Sequence, residues 1–225
     1  MKPITVLLAD DHTIVREGLR ALLEMEADIQ VVGEAGDGRQ AVRMAMKFQP
    51  DVIVMDIAMP LLNGLEATRQ IRTSLPAAKV IILSAYSDDE YIEHVTLVGA
   101  AGYLIKQTSA HILSKAIRDV QQGNVFFSPS IAERLNDLHP DSPDRGRAIK
   151  KRGITLTSRQ VEVLQLIAEG KANKQIAREL GISIKTVEKH RQLLMKKLNL
   201  HDTAGVTRYA IAAGIIESHV QVTVV

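Results

Sequence analysis

Short apolar runs alternate with longer segments of helical periodicity through the first half of the chain. The runs are rich in valine, isoleucine and leucine, as in strands buried on both faces, and span residues 4–9, 30–35, 51–55, 79–84 and 102–105. The segments between them carry apolar residues at helical spacing and span 13–25, 39–48, 64–73, 88–98 and 110–121. The alternation predicts a doubly wound (βα)₅ α/β domain with a parallel sheet, for which we expect the strand order 2-1-3-4-5.

The second half of the chain predicts an all-α domain. Residues 138–153 hold two prolines, two glycines and dense charge, which indicates a linker, and a short helix is expected before it at 131–135. Four helices are predicted at 158–169, 174–180, 184–198 and 203–216, with N-caps at Thr157, Asn173, Ser183 and Asp202. The expected division is therefore 1–124, a connecting segment 125–153, a helical domain 154–218, and a tail 219–225 that is either an edge strand or disordered.

Charge is divided unevenly between these halves. Residues 1–144 contain 13 basic and 20 acidic residues, whereas residues 145–225 contain 15 and 6, giving net charges of −7 and +9. A basic helical domain favours nucleic acid as a partner, while an acidic one favours cations. The absence of cysteine excludes disulfides and thiolate zinc sites. Neither a signal peptide nor an apolar run of 18 residues is present, so we expect a cytoplasmic protein without membrane partners.

Polar residues of selected types follow the predicted strands. Asp10 and Asp11 follow the first strand, Asp56 the third, Ser84 closes the fourth, and Lys106 follows the fifth. Ligands of open parallel sheets bind beyond the carboxyl ends of the strands, so these side chains are expected to converge. Three carboxylates in one pocket require a cation, and oxygen ligands favour Mg²⁺. With Lys106 and Ser84 to stabilise phosphoryl oxygens, the central Asp56 is the expected nucleophile and an aspartyl phosphate the product.

With this acidic pair, the Asp in VIVMDIAMP, the Ser in IILSAY and Lys106, the first 120 residues or so resemble the receiver domains of two-component response regulators, which have a flavodoxin-like fold. The resemblance implies that Asp56 is phosphorylated by a sensor histidine kinase. It implies that Asp11, Asp56 and the backbone carbonyl of Ala58 bind Mg²⁺, with Asp10 acting through water. It also assigns Ser84 and Tyr103 to the switch positions, Tyr103 turning inward on phosphorylation.

The segment from Asn173 to Arg191 predicts two short amphipathic helices joined at Gly181, the pattern of a helix-turn-helix. The expected buried residues are Ile176, Ala177, Leu180, Ile184, Val187, Leu194 and Leu198. The opposite face of the second helix is polar. We expect base contacts from Lys185, Glu188, Lys189 and Gln192, and phosphate contacts from Lys174, Thr186, Arg191, Lys196 and Lys197.

Residues 155–216 further resemble the LuxR-type four-helix DNA-binding domain, on the segments TLTSRQVEVLQLIAEGKANKQIAREL and TVEKHRQLLMKKLNL. The two resemblances together identify a regulator of the NarL/FixJ class. In that class the last helix pairs two DNA-binding domains, which here implies a homodimer on DNA through Val206, Tyr209, Ala210 and Ala213. The alanine-rich helix is equally compatible with an intramolecular core.

The expected function is therefore a transcription factor in which phosphorylation at Asp56 shifts a conformational or dimerisation equilibrium that controls binding to promoter DNA. The protein would not be an enzyme, beyond assisting its own phosphorylation and dephosphorylation. Two alternatives are a constitutive DNA-binding protein with a scaffold receiver, and a phosphatase with an aspartyl nucleophile. The phosphatase usually needs a second carboxylate where this chain has Ala58. None of the seven histidines forms a ligand-spaced set, and His12 is expected at the surface or at a helix start.

Overall fold

The computed structural model describes residues 2–85, 95, 97–106, 110–128, 131 and 156–216. The chain divides into two compact units, Met1–Lys151 and Arg152–Val225. No helix within these described ranges is both long and apolar enough to span a bilayer. Most of the predicted helix at 88–98, nearly all of the one at 131–135, and the tail 219–225 lie outside the described residues.

The first unit is built on a six-stranded parallel sheet in the described part of the chain. Its strands are β1 (Ile4–Ala9), β2 (Ile29–Ala35), β3 (Val52–Asp56), β4 (Lys79–Ser84), β5 (Gly102–Ile105) and β6 (Phe126–Phe127). The spatial order is β2-β1-β3-β4-β5-β6, which confirms the predicted order and adds one edge strand. Only two residues long, β6 carries no periodicity and was not predicted. It exists because Phe126 donates its backbone N–H to Ala101 O at 3.0 Å.

Four described helices cover the two faces of this sheet. They are α1 (Thr13–Glu24), α2 (Gly38–Phe48), α3 (Gly64–Ser74) and α4 (Ala110–Gln121). Side chains alternate across a strand, so Leu7 and Ile53 enter the core that contains residues of α2 and α3. Val6 and Val54 enter the opposite core, with residues of α1 and α4. This arrangement buries both faces of the sheet and leaves the strand ends as the place for polar side chains.

The start of α3 lies directly against the end of β3. A Cβ added at Gly64 would overlap the carbonyl oxygen of Asp56 and approach Met55 Cγ to 3.0 Å, whereas one added at Gly18 on α1 meets nothing within 4 Å. We therefore expect Gly64→Ala to lower the free energy of unfolding by about 1–3 kcal/mol. The matched control, Gly18→Ala, should raise it by about 0.5–1 kcal/mol. Urea denaturation of both variants checks this, and equal effects would contradict the close approach.

The second unit contains α5 (Ser158–Ala168), α6 (Asn173–Leu180), α7 (Ile184–Leu198) and α8 (Thr203–Ala212). The capping box at Thr157 is confirmed, as are the N-caps Ser183 and Asp202. The prediction for Asn173 was wrong: the N-cap is Ala172, whose backbone N–H donates to Gln175 Oε1 at 2.8 Å. The predicted end of the last helix at 216 was also wrong, because Gly214 adopts φ +62° and the helix has ended before it.

The core of this unit forms where α5 contacts α7 and α8, and where α6 contacts α7. The sequence predicted its apolar positions on α6 and α7 with one error. Ile176, Val187 and Leu194 are fully buried, but Ile184 is 44% exposed. Ile184 is the first residue of α7, so the buried stripe begins only one turn later, at Val187.

Candidate functional site

Side chains from three strand ends meet at one edge of the sheet. Asp10 follows β1, Asp56 is the last residue of the neighbouring β3, and Lys106 follows β5. Lys106 Nζ lies 2.8 Å from Asp10 Oδ2 and 2.8 Å from Asp56 Oδ2. The parallel sheet therefore brings together residues that are up to 96 positions apart in the chain.

Burial controls the electrostatics of this cluster. Asp10 and Asp56 are only 2% and 4% exposed. Burial raises the pKa of Asp56 to about 6; the Lys106 ammonium opposes this shift, and the neighbouring Asp10 and Asp11 carboxylates add to it. Burial alone would lower the pKa of Lys106, but the Asp56 and Asp10 carboxylates raise it above its usual value. Lys106 is thus held as a cation between the two acids, and it only partly offsets the cost of burying Asp56.

The oxygens of the cluster suit a divalent cation. Ligand atoms of Asp10, Asp11, His12 and Asp56 all lie within 4.8 Å of one another. Among the described residues, Asp10 Oδ2 and Asp11 Oδ1 are two buried oxygen atoms that accept no hydrogen bond of good geometry. Each has one nitrogen nearby: Lys106 Nζ lies 2.8 Å from Asp10 Oδ2, and His12 Nδ1 lies 2.8 Å from Asp11 Oδ1. Such crowded, incompletely satisfied carboxylates are stabilised by a hard ion such as Mg²⁺. The residues present therefore fit the metal that the sequence predicts.

His12 adds an imidazole to the edge of this cluster. It is the N-cap residue of α1 and its side chain is 52% exposed, as expected, but its ring also joins the carboxylate cluster. Nδ1 lies 2.8 Å from Asp11 Oδ1 and 3.3 Å from Asp10 Oδ1. The backbone N–H of His12 also donates to Asp10 Oδ1 at 2.8 Å. The sequence places His12 beside the acidic pair, but proximity along the chain does not reveal the direction of the ring.

Arg16 is a second residue of the site that the sequence did not indicate. Its Nη1 donates to the backbone carbonyl of Asp10 at 2.6 Å. Its Nε lies 3.6 Å from Glu34 Oε2 at the end of β2. Arg16 thereby fixes the turn that presents the acidic pair. The only feature of the sequence that could have indicated this role is the position of Arg16 in the first turn of α1, the helix that follows Asp10 and Asp11.

The remaining residues predicted for this site are Ser84, Tyr103 and Ala58, which lie on β4, on β5 and in the loop after β3. Ser84 ends β4 and is 1% exposed, and Asp56 pairs in register with Leu83 just before it. Tyr103 on β5 is fully buried in the core that contains residues of α2 and α3. Ala58 is partly exposed in the loop after β3. The switch roles of Ser84 and Tyr103, and the Ala58 carbonyl as a metal ligand, stay predictions.

The raised pKa of Asp56 predicts a pH-dependent stability in the absence of metal. Because the pKa in the folded state, about 6, exceeds the ordinary value of 3.8, the native protein binds more protons between these values and loses stability as the pH rises through them. The charged carboxylate then costs up to about 3 kcal/mol. In EDTA, we expect Asp56→Asn to be more stable than the wild type at about pH 7.5, with little difference near pH 4. Urea denaturation measures this, and a gain independent of pH would contradict it.

The second candidate site is the polar face of α7. Gly181 adopts φ +62° between α6 and α7, as the helix-turn-helix pattern requires. All four predicted base-contacting residues line one concave patch on the described surface: Lys185, Glu188, Lys189 and Gln192. Of the predicted phosphate contacts, Lys174, Lys196 and Lys197 are exposed. Thr186 and Arg191 are half-buried, the Thr186 hydroxyl lying 2.8 Å from Ser183 Oγ and Arg191 Nη2 donating to Thr203 Oγ1 at 3.3 Å.

The four residues expected at a dimer contact divide into two groups. Val206 and Ala210 are fully buried in the unit, which is the intramolecular alternative that the sequence left open. Tyr209 and Ala213 are partly exposed. Any contact between two copies through α8 would therefore use the exposed side of the helix and not its buried stripe.

Family comparisons agree with this geometry in both units. Residues 6–118 match the family described as the response regulator receiver domain. Residues 154–210 match the family described as bacterial regulatory proteins, luxR family. The two matches cover the carboxylate cluster and the whole of the helix-turn-helix.

Similar proteins match over nearly their whole length. The transcriptional regulatory protein LiaR of Bacillus subtilis is 41% identical over 207 residues, covering 92% of this chain and 96% of LiaR. The oxygen regulatory protein NreC of Staphylococcus carnosus is 37% identical over 214 residues, covering 94% and 99%. Among solved structures, the response regulator ChrA of a heme-sensing two-component system has a TM-score of 0.52 at 31% identity, covering 96% and 100%. RcsB from Salmonella enterica serovar Typhimurium, bound to promoter rprA with phosphomimetic BeF₃⁻, has a TM-score of 0.56 at 26% identity, covering 92% and 98%.

Proposed function

Because the chain belongs to the two-component response regulators that join a receiver domain to a LuxR-type DNA-binding domain, we propose that phosphorylation of Asp56 controls its binding to promoter DNA. The single observation that carries the proposal is the Lys106 ammonium, 2.8 Å from both Asp10 Oδ2 and Asp56 Oδ2. It provides a fixed positive charge beside the proposed nucleophile, where a phosphoryl group would bring negative charge.

Asp56 is the proposed acceptor because it combines a central position with a prepared environment. Its Oδ1 accepts the backbone N–H of Ile57 at 2.8 Å and its Oδ2 faces Lys106, so the carboxylate is oriented before the donor arrives. A carboxylate oxygen attacks the phosphorus of a phosphohistidine, a P–O bond forms and the P–N bond breaks. The imidazole leaves with the bonding electron pair and takes up a proton. The proposed partner is therefore a sensor histidine kinase, and the protein assists only its own phosphorylation and dephosphorylation.

A divalent cation, Mg²⁺ in this proposal, supplies additional positive charge to the phosphoryl oxygens. Asp11, Asp56 and the Ala58 carbonyl would hold it, with Asp10 acting through water. Lys106 remains the protein's own cation at the site, and Ser84 is the proposed hydroxyl donor to the phosphoryl group. These chain groups would offset the negative charge of the aspartyl phosphate at an acceptor residue that is only 4% exposed.

The second domain is the part of the protein that we propose binds DNA sequence-specifically. The first turns of α7 present Lys185, Glu188 and Lys189 to one side, which is the position from which a recognition helix contacts base edges. Lys174 on α6 and Lys196 and Lys197 in the last turn of α7 are exposed and suit phosphate contacts. The excess of basic residues in this half of the chain supports the same assignment.

In this proposal, phosphorylation shifts the equilibrium between two conformations of the receiver domain. The phosphoryl group must favour one arrangement of Ser84, Tyr103 and the adjoining surface, and that arrangement must favour a homodimer. Two DNA-binding domains held on adjacent half-sites then gain affinity because the second contact becomes intramolecular.

The test is operator affinity measured at fixed salt, with and without acetyl phosphate, on DNA selected from a random library. We expect the phosphodonor to tighten binding by the wild type and to leave Asp56→Asn unchanged. Sedimentation of the same samples should show a dimer only for the treated wild type. Identical binding curves for all four samples would indicate a constitutive DNA-binding protein instead.

A further inference from the structure

His12 occupies the cation-binding edge of the carboxylate cluster. Its Nδ1 lies 2.8 Å from Asp11 Oδ1 and 3.3 Å from Asp10 Oδ1. In an octahedral site with bonds of about 2.1 Å, adjacent ligand atoms are about 3.0 Å apart and opposite ones about 4.2 Å apart. The two distances at His12 are therefore close to the separation of adjacent ligands in one coordination sphere.

Lys106 and His12 approach different atoms of the acidic pair. Lys106 Nζ contacts Asp10 Oδ2, whereas His12 Nδ1 lies near the Oδ1 atoms of Asp10 and Asp11. The nitrogen of His12 and the ammonium of Lys106 thus do not compete for one oxygen. An ion bound beside His12 leaves the contacts of Lys106 available.

Two backbone interactions keep the imidazole at this edge. The N–H of His12 donates to Asp10 Oδ1 at 2.8 Å, and Arg16 Nη1 donates to the carbonyl of Asp10 at 2.6 Å. The turn between Asp10 and α1 is therefore fixed at both ends. The ring itself is 52% exposed, so burial does not prevent it from adjusting toward an ion.

An imidazole nitrogen changes which ions such a site prefers. Mg²⁺ selects oxygen ligands and gains little from nitrogen, while first-row transition metals bind imidazole well and follow the Irving–Williams order. We propose that His12 Nδ1 is a direct ligand of the receiver's cation and gives the site a preference for divalent transition metals, such as Mn²⁺, over Mg²⁺. The proposal rests on the proposed function, because it concerns the same cation site.

The experiment compares the full-length wild type with His12→Ser, which removes the imidazole and keeps a residue suited to the N-cap. His111→Ala, which removes an exposed histidine of α4 outside the cluster, is the matched control. Calorimetric titration with MnCl₂ should show an affinity loss of about 10-fold or more for His12→Ser alone, with MgCl₂ affinity changed less than about 2-fold. Pulsed electron paramagnetic resonance of the Mn²⁺-loaded protein should show ¹⁴N coupling in the wild type and His111→Ala, and none in His12→Ser.

Absence of ¹⁴N coupling in the wild type, or an equal loss of Mn²⁺ and Mg²⁺ affinity in His12→Ser, would overturn the inference. If Asp56 is still phosphorylated with Mg²⁺ under those conditions, the proposed function stands and only the role of His12 fails. If the wild type binds neither ion, both the inference and the proposed cation site fail.

Discussion

Asp56→Asn is expected to abolish covalent phosphorylation of the protein. With Mg²⁺ and acetyl phosphate, the wild type should gain about 80 Da, and the variant should gain nothing. The physical reason is that the amide oxygen of Asn is neutral and a weak nucleophile, whereas the rest of the site, including the Lys106 contact with Asp10, is left in place. Intact-mass spectrometry measures the adduct, and peptide mapping locates it.

Asp51→Asn is the matched control, because it makes the same chemical change just before the other end of β3. Asp51 Oδ2 accepts bonds from Thr5 N and Oγ1 at 2.9 and 2.6 Å, far along the strand from Lys106. This variant should gain the same mass as the wild type. An adduct on Asp56→Asn equal to that of the wild type, or an adduct mapped elsewhere in the wild type, would refute Asp56 as the acceptor.

Substitutions on α7 are expected to separate base recognition from general attraction to DNA. Lys189→Ala removes a side chain of the concave patch and should weaken binding to the selected operator by about 1–3 kcal/mol, roughly 5- to 150-fold, with relaxed preference at one base position. Lys196→Ala removes an exposed lysine farther along the helix. It should weaken binding to all sequences alike and lower the slope of log K against log salt by about 0.9.

Both effects are measured by fluorescence anisotropy on the operator and on scrambled DNA over a series of salt concentrations. The control is Lys47→Ala, which removes an exposed positive charge from α2 in the other domain and should alter neither quantity. If Lys189→Ala weakened operator and scrambled DNA equally and reduced the salt slope, Lys189 would be a phosphate contact, and the proposed direction of the recognition helix would be wrong.

The site was predictable at the level of its carboxylates. Neighbouring parallel strands end at the same edge, so Asp10 after β1 and Asp56 at the end of β3 had to lie near one another whatever the side chains around them. The ring of His12 was not predictable in this way, because its direction depends on the turn fixed by Arg16 and by the Asp10 carboxylate. The sequence of that turn shows no periodic pattern from which its conformation could be predicted.

In the second domain, too, some buried positions could be predicted from the sequence and others could not. Spacing predicted the buried positions Val187 and Leu194, since residues three and four apart share a helix face. Spacing could not show that Ile184 lies outside the core, because that depends on how far the neighbouring helices extend past the start of α7. Composition equally could not decide whether Val206 and Ala210 face their own core or a second copy.

The sequence by itself determined the approximate bounds of five of the six described strands and of the described helices, and the types of residue at each strand end, because periodicity and capping depend on neighbours along the chain. Only the tertiary structure decided that one ammonium lies 2.8 Å from two carboxylates, that burial raises the pKa of Asp56 to about 6, and that an imidazole joins them. Distances and desolvation arise from side chains that meet through folding. They depend on packing between segments that no local pattern describes.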